Sequence, residues 1–141
     1  ELKSFQNLPN GRERILFVDD EEAIIYLNEL ALEKLGYQIK TATDPERALE
    51  FFRANPYHFD LVITDMAMPN MHGDRLAKEI LRIRPDIKIL LCTGHNDRIS
   101  AEIAQRMGIA GYLQKPVEIE SMAQTVRAIL DRPPFKETVA G

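Results

Sequence analysis

Side chains that could share one reaction site follow the apolar runs of this chain. The runs end in carboxylates, a hydroxyl or an ammonium group: Asp19 with Asp20, Asp65, Thr93 and Lys115. A carboxylate that attacks phosphorus, flanked by groups that offset charge on the phosphoryl oxygens, makes a phosphoryl-transfer site. Taken singly, each residue also fits an ordinary role in a turn, in a helix cap or in solvent. The chemistry therefore depends on whether the fold brings them together.

The apolar runs have the length of buried strands, and segments with helical apolar spacing alternate with them. We predict strands at residues 14–18, 37–42, 61–65, 87–92 and 109–113, each followed by a helix. Such alternation indicates α/β architecture, a parallel sheet with helices on both faces. A closed eight-unit barrel needs about 200 residues or more. In 141 residues we therefore expect an open, doubly wound, five-stranded sheet.

Parallel strands place their carboxyl ends at one edge of the sheet, where ligands bind in open α/β folds. Clustered carboxylates at that edge suit Mg²⁺, whereas no His/Cys cluster has the spacing of a zinc site. Without a cation, neighbouring acids raise one another's pKa. Mg²⁺ or Lys115 would restore the ionised, nucleophilic form of a carboxylate there.

The composition is that of one soluble domain, with 45% hydrophobic residues, 28% charged residues and a net charge of −4. Lys and Arg are scattered, and no apolar run reaches the roughly 18 residues of a membrane span. We therefore expect no direct nucleic-acid binding and no membrane insertion. The single cysteine, Cys92, lies in an apolar run, which indicates a buried thiol and is compatible with a reducing, cytoplasmic setting.

Four motifs, in this order, resemble the receiver domain of two-component response regulators. They are ILFVDDE at 15–21, DMAMPNMHG at 65–73, Thr93-Gly94 and GYLQKP at 111–116. The resemblance covers about residues 14–131 and implies a flavodoxin-like strand order, 2-1-3-4-5. It divides the chain into a linker-like N-terminal tail (1–13), a receiver domain (14–131) and a C-terminal tail (132–141).

The resemblance implies a role for each site residue. Asp65 is the phosphoacceptor, and it receives a phosphoryl group from the phosphohistidine of a histidine kinase or a histidine phosphotransfer domain. Asp20 binds Mg²⁺ directly, beside Asp65 and the backbone carbonyl of Ala67, while Asp19 holds metal-bound waters. Lys115 contacts the phosphoryl oxygens. Such a module phosphorylates and dephosphorylates itself and is not a turnover enzyme.

Thr93 and Tyr112 match the family's switch pair. On phosphorylation of Asp65, the Thr93 hydroxyl moves to a phosphoryl oxygen, Tyr112 fills the vacated space, and the surface of the last two helices and the last strand changes. The peptide bond before Pro116 is expected to be cis, which directs the preceding lysine into the pocket. We hypothesise that His95 modulates dephosphorylation; the alternative is that it is a solvent-exposed loop histidine without such a role.

Other functions remain open at this point. A haloacid-dehalogenase-like phosphatase also uses a strand-end Asp nucleophile and Mg²⁺, but it places a second Asp, the general acid, where this chain has Ala67. Without that acid the leaving group is not protonated, and the reaction rate falls by about 10²-fold or more. A flavin or nucleotide binder would need a glycine-rich loop after the first strand, where this chain has acidic residues that would repel a phosphate. The chain is either a stand-alone regulator or, as the linker-like start favours, the C-terminal receiver of a hybrid sensor histidine kinase. The fourth-helix face permits a weak homodimer.

Overall fold

A computed structural model describes residues 5, 7–94, 97 and 99–133. Five strands in this part of the chain alternate with helices: β1 (Arg14–Val18), α1 (Glu22–Lys34), β2 (Gln38–Ala42), α2 (Pro45–Ala54), β3 (Leu61–Asp65), α3 (Gly73–Ile83), β4 (Lys88–Thr93), α4 (Ala101–Arg106), β5 (Gly111–Gln114) and α5 (Ile119–Asp131). All strand pairs are parallel, in the order β2-β1-β3-β4-β5. The predicted fold and strand order are confirmed. No helix within the described ranges is long and apolar enough to cross a membrane.

The sheet separates two apolar clusters. One cluster unites one face of the sheet with α2, α3 and α4, and the other unites the opposite face with α1 and α5. Strand β1 shows the division, since Leu16 and Val18 belong to the first cluster and Ile15 and Phe17 to the second. Strand β3 is buried along its whole length, as expected for a central strand with helices on both sides.

The inward face of α1 agrees only in part with the sequence expectation. The spacing of Ile24, Leu27, Ala31 and Leu35 predicts that they face the core. Leu35 is buried and Ile24 packs against the cluster, but Leu27 is 65% exposed, and the structure buries Ile25 and Leu32 as well. The sequence AIIYLNELAL places apolar residues on nearly every side of this helix. Packing against the sheet, and not the periodicity, therefore decides which side is buried.

Residues before β1 pack against the domain. Leu8 is only 8% exposed and lies in the cluster of α1 and α5, and the backbone N–H of Gly11 donates to the carbonyl of Leu35 at 3.0 Å. The linker-like interpretation of residues 1–13 does not anticipate these contacts. The domain boundaries 14–131 and 132–141 remain a prediction, and residues 134–141 lie outside the described part.

Candidate functional site

Asp65 is the last residue of the central strand and is 4% exposed. The Thr64 hydroxyl donates to the Asp65 carbonyl at 3.0 Å, and the Met66 N–H donates to the Cys92 carbonyl at 2.8 Å. Cys92 is also the partner of Asp65 in the register of β3 and β4. The backbone on both sides of Asp65 is thus fixed, and its carboxylate lies at the carboxyl edge of the sheet.

Two further carboxylates and one ammonium group meet Asp65. Carboxylate oxygens of Asp19, Asp20 and Asp65 all lie within 4.8 Å of one another. The Lys115 Nζ lies 3.1 Å from Asp19 Oδ2 and 3.0 Å from Asp65 Oδ1. One lysine against three carboxylates leaves the site negative, and the donor set consists of hard oxygens. These residues fit Mg²⁺, which binds through a few carboxylates and retains waters.

The surroundings of Asp65 raise the pKa of its carboxyl group towards neutral pH. Burial raises the pKa of Asp65 from 3.8 to about 6; the hydrogen bond from Lys115 opposes this rise, while the charges of Asp19 and Asp20 add to it. Burial alone would lower the pKa of Lys115, but its hydrogen bonds to Asp65 and Asp19 outweigh burial and raise it. The lysine is therefore a permanent cation, and additional positive charge would favour the ionised Asp65.

Thr93 ends β4 and is fully buried. Its Oγ1 has no hydrogen-bond partner among the residues that the structure describes, whereas its carbonyl accepts a 2.6 Å hydrogen bond from the Lys115 N–H. A buried hydroxyl without a partner costs about 1–3 kcal/mol. The Thr93 hydroxyl therefore has a hydrogen-bonding capacity that no described residue uses.

Tyr112 lies in β5 and packs against the cluster of α2, α3 and α4. Its hydroxyl donates to the Ile99 carbonyl at 3.1 Å, so it ties β5 to the segment before α4. The peptide bond between Lys115 and Pro116 is cis, as predicted. The structure thus places Thr93 on β4, next to β3, and Tyr112 on the edge strand β5 beyond it, while their roles remain predictions.

Two sequence candidates are not brought into the cluster by any described contact. Ala67 lies exposed in the loop between β3 and α3, and its proposed carbonyl role stays a prediction. His95 lies outside the described residues, so its modulating role also stays a prediction.

Sequence reasoning missed the role of Gly73, the first residue of α3. Its N–H donates to the Met66 carbonyl at 2.8 Å, and a Cβ at this position would collide with the backbone carbonyl of Asp65. The start of α3 therefore packs directly on the backbone of Asp65, which only glycine permits. The signal for this role was the glycine itself, eight residues after the strand-end carboxylate.

A cavity of about 250 Å³ adjoins the site and was also missed. Its lining includes buried Asp65 and Cys92 and largely exposed Leu27 of α1. Its other lining residues come from β1, β3, α1 and the segment around the start of α5: Phe17, Asp19, Ile24, Asn28, Ala31, Ile63, Lys115, Pro116, Val117, Ile119 and Met122. The cavity is therefore mostly apolar and lies between Asp65 and α1.

Known proteins resemble this chain in both sequence and fold. The transcriptional regulatory protein PhoP of alkaline phosphatase synthesis in Bacillus subtilis is 32% identical over 119 residues, which are 84% of this chain and 49% of that protein. The sensor kinase CckA of Brucella abortus is 30% identical over 87% of this chain and 13% of that protein. A two-component response regulator of Arabidopsis thaliana is 33% identical over 86% of this chain and 20% of that protein.

Solved structures show the same fold. A response regulator receiver domain protein from Clostridium thermocellum matches with a TM-score of 0.81 and 33% identity, covering 85% of this chain and 95% of that one. A CheY-like receiver domain protein from Methanospirillum hungatei matches with a TM-score of 0.77 and 28% identity, covering 86% and 95%.

This chain spans less than half the length of the curated relatives named above. The match therefore says nothing about activities that reside in the unmatched parts of those proteins. The family model for the response regulator receiver domain matches residues 15–127, most of the chain. The chain therefore belongs to the response regulator receiver domain family.

Proposed function

We propose that this chain is a phosphoacceptor signalling module in which Asp65 takes a phosphoryl group from the phosphohistidine of a histidine kinase or a histidine phosphotransfer domain. The supporting observation is the convergence of Asp65, Asp19, Asp20 and Lys115 at the carboxyl edge of the sheet. In the transfer, an Asp65 carboxylate oxygen bonds to phosphorus as the phosphorus–nitrogen bond breaks. The electron pair of that bond stays on the imidazole nitrogen.

Each residue of the site has its own role in the proposed phosphoryl transfer. Burial keeps the acceptor carboxylate free of bulk water, and the fixed β3 backbone aims it out of the sheet edge. The Lys115 ammonium, 3.0 Å from Asp65, lies where it offsets charge on the phosphoryl oxygens. Asp19 and Asp20 would hold Mg²⁺ together with Asp65, and the ion would supply positive charge against the incoming phosphoryl group.

The α1 side of the domain suits docking by a partner helix. Tyr26, Leu27 and Leu30 are 61%, 65% and 44% exposed, although they are large and apolar. Leu27 also lines the cavity that reaches Asp65. A helix that carries a phosphohistidine could cover this apolar strip and present its imidazole at the cavity.

Thr93 and Tyr112 would couple phosphorylation of Asp65 to the surface around α4. The Thr93 hydroxyl has no partner among the described residues, so a phosphoryl oxygen on Asp65 offers it a hydrogen bond that the resting protein lacks. The Tyr112 hydroxyl would then leave the Ile99 carbonyl and alter the surface around α4.

Phosphorylation by a small donor tests the acceptor. We expect incubation with acetyl phosphate to add one phosphoryl group per chain in the presence of Mg²⁺, with no addition to Asp65→Asn or in EDTA. The matched control Asp86→Asn removes an exposed carboxylate from the ion pair with Arg84 and should react like wild type. Phosphorylation of Asp65→Asn at the wild-type rate would refute the proposal, as would persistence of the reaction without any divalent cation.

A second experiment tests the partner surface. Leu30→Glu places a charge on the apolar strip at a position outside the cavity lining, so we expect slower transfer from a phosphorylated histidine phosphotransfer domain and an unchanged rate with acetyl phosphate. Ile103→Glu is the control, because Ile103 is 45% exposed on α4, on the other side of the sheet. Equal losses in both variants would show that docking does not use α1.

Several finer predictions accompany this function. We expect a cytoplasmic location, no direct contact with nucleic acid, and at most a weak homodimer through the α4 face. Membership in a hybrid sensor histidine kinase also remains a prediction. The phosphatase alternative is not retained, because the family is that of receiver domains and the position of its second acid holds Ala67.

A further inference from the structure

Residues 7–13, here called the strap, bridge the C-terminal ends of α1 and α5. Leu8 of the strap is buried in the same apolar cluster as Leu32 of α1 and Val126 and Ile129 of α5. The N–H of Gly11 donates to the Leu35 carbonyl, directly after α1, at 3.0 Å. The strap thus contacts both helices at the end of the domain remote from Asp65.

Two glycines allow the strap to approach α1 closely. Gly36 follows α1 with a φ of +104°, and a Cβ there would collide with the Gly11 carbonyl. A Cβ on Gly11 would in turn meet the side chains of Arg127, Glu13 and Tyr37. At Gly36 backbone packs on backbone, which requires glycine there, whereas at Gly11 the side chains of the bridge fill the space that a Cβ would need.

Arg127 of α5 closes the bridge from the other side. Its Nη2 lies 2.7 Å from Glu13 Oε2 and its Nη1 lies 3.1 Å from Glu13 Oε1, a bidentate pair. The same Nη1 donates to the Asn10 carbonyl at 3.0 Å and to the Tyr37 hydroxyl at 3.3 Å. One side chain therefore joins α5 to the strap and to the start of β2.

The same two helices line the cavity beside Asp65, chiefly with residues from the ends opposite the strap. Ile24, Leu27 and Asn28 come from the first half of α1, Ala31 comes from its second half, and Ile119 and Met122 come from the first turn of α5. Each helix has 13 residues and is therefore about 20 Å long. A helix of that length moves as a stiff body, so a change at one end is carried to the other.

We propose that the strap sets the separation of α1 and α5 and thereby controls access to the cavity that opens on Asp65. The effect of the strap on phosphoryl transfer rests on the proposed function, whereas its effect on access to the cavity does not rest on it. When the strap is closed, the two helices are held together and the cavity is narrow. When it is released, they separate more readily and the cavity opens more often.

Cys92 provides a direct probe of this opening. It is the only cysteine in the sequence, it is 4% exposed, and it lines the cavity. The rate at which methyl methanethiosulfonate modifies Cys92 in the full chain, at one fixed pH, would be measured for wild type, Arg127→Ala and Arg82→Ala. The last is the control, since Arg82 pairs with Glu79 on the surface of α3, away from the strap.

We expect Arg127→Ala to react about fivefold faster than wild type, which corresponds to about 1 kcal/mol in the opening equilibrium. Arg82→Ala should react at the wild-type rate. A wild-type rate in Arg127→Ala would overturn the proposal.

Global unfolding must be separated from cavity opening. Ile80→Val destabilises the other apolar cluster and leaves the strap intact. We expect Cys92 in Arg127→Ala to react faster than in Ile80→Val when urea brings both to equal stability, and its rate to depend only weakly on urea. Equal rates at equal stability would overturn the proposal.

Phosphorylation by acetyl phosphate separates the two proposals. A parallel rise in the phosphorylation rate of Arg127→Ala supports both. Faster Cys92 modification in a protein that acetyl phosphate never phosphorylates, wild type included, supports control of the cavity by the strap and refutes the proposed function.

Discussion

Replacing Asp65 by Asn should stabilise the metal-free protein. Burial and the neighbouring carboxylates raise the pKa of Asp65 from 3.8 to about 6, so its ionised form is disfavoured in the folded state. Each pKa unit corresponds to about 1.4 kcal/mol, and the rise to about 6 therefore amounts to about 3 kcal/mol above pH 6. Residual solvation reduces this figure, and we expect Asp65→Asn to gain about 1–3 kcal/mol in its free energy of unfolding at pH 8.

The gain should depend on pH in a defined direction. Because the folded-state pKa lies above the unfolded one, the folded protein binds more protons between pH 3.8 and about 6, and wild-type stability falls as the pH rises through this window. Asn does not titrate. The stability difference between Asp65→Asn and wild type should therefore be about half developed at pH 5 and complete at pH 8.

Urea denaturation in EDTA at pH 5 and pH 8 measures this difference. Asp86→Asn, at an exposed position, is the control and should change stability by less than about 0.5 kcal/mol. Millimolar Mg²⁺ should stabilise wild type more than Asp65→Asn, and so narrow the gap. An Asn variant less stable than wild type at pH 8, or a gap of equal size at both pH values, would refute the reasoning.

Three further changes probe the surroundings of the acceptor. Thr93→Val removes the buried hydroxyl that has no partner among the described residues; we expect metal-free stability to stay equal or rise by about 1 kcal/mol in urea denaturation, while the Tyr112 ring signals in NMR lose their response to beryllofluoride. Gly73→Ala drives a Cβ into the Asp65 carbonyl, and we expect it to lower the free energy of unfolding by about 2 kcal/mol or more. A loss under 0.5 kcal/mol would show that the start of α3 shifts freely. Lys115→Gln removes the cation 3.0 Å from Asp65, so the pKa of that carboxyl should rise above about 6 in an NMR titration of the metal-free protein, and an unchanged value would contradict the ion pair.

The fold and the acidic cluster were predictable because both follow from local patterns. Continuous apolar runs such as β3 mark buried strands, and parallel strands bring Asp65 and Lys115 to one edge once the fold is known. A local pattern also marks the start of α2, where Pro45 is the first helical residue and the Asp44 side chain accepts a hydrogen bond from the Glu46 N–H.

The features that sequence missed depend on contacts between distant segments. Glycine, proline and asparagine before β1 are typical of a linker, and nothing near them in the chain indicates that Glu13 meets Arg127, more than a hundred residues later. The cavity likewise arises where α1 and α5 pack against the sheet. Which side of α1 faces inward could not be predicted, because Ile25 and Leu27 are both apolar and only packing distinguishes them.

The division of the interior into two apolar clusters has a consequence for signalling. The cavity beside Asp65 and the exposed strip on α1 belong to one side of the sheet, whereas Tyr112 and α4 belong to the other. Under the proposed function, a phosphoryl donor that docks on α1 would leave the opposite side uncovered. A protein that binds the α4 side would then not compete with the donor for surface, and both could bind this domain at the same time.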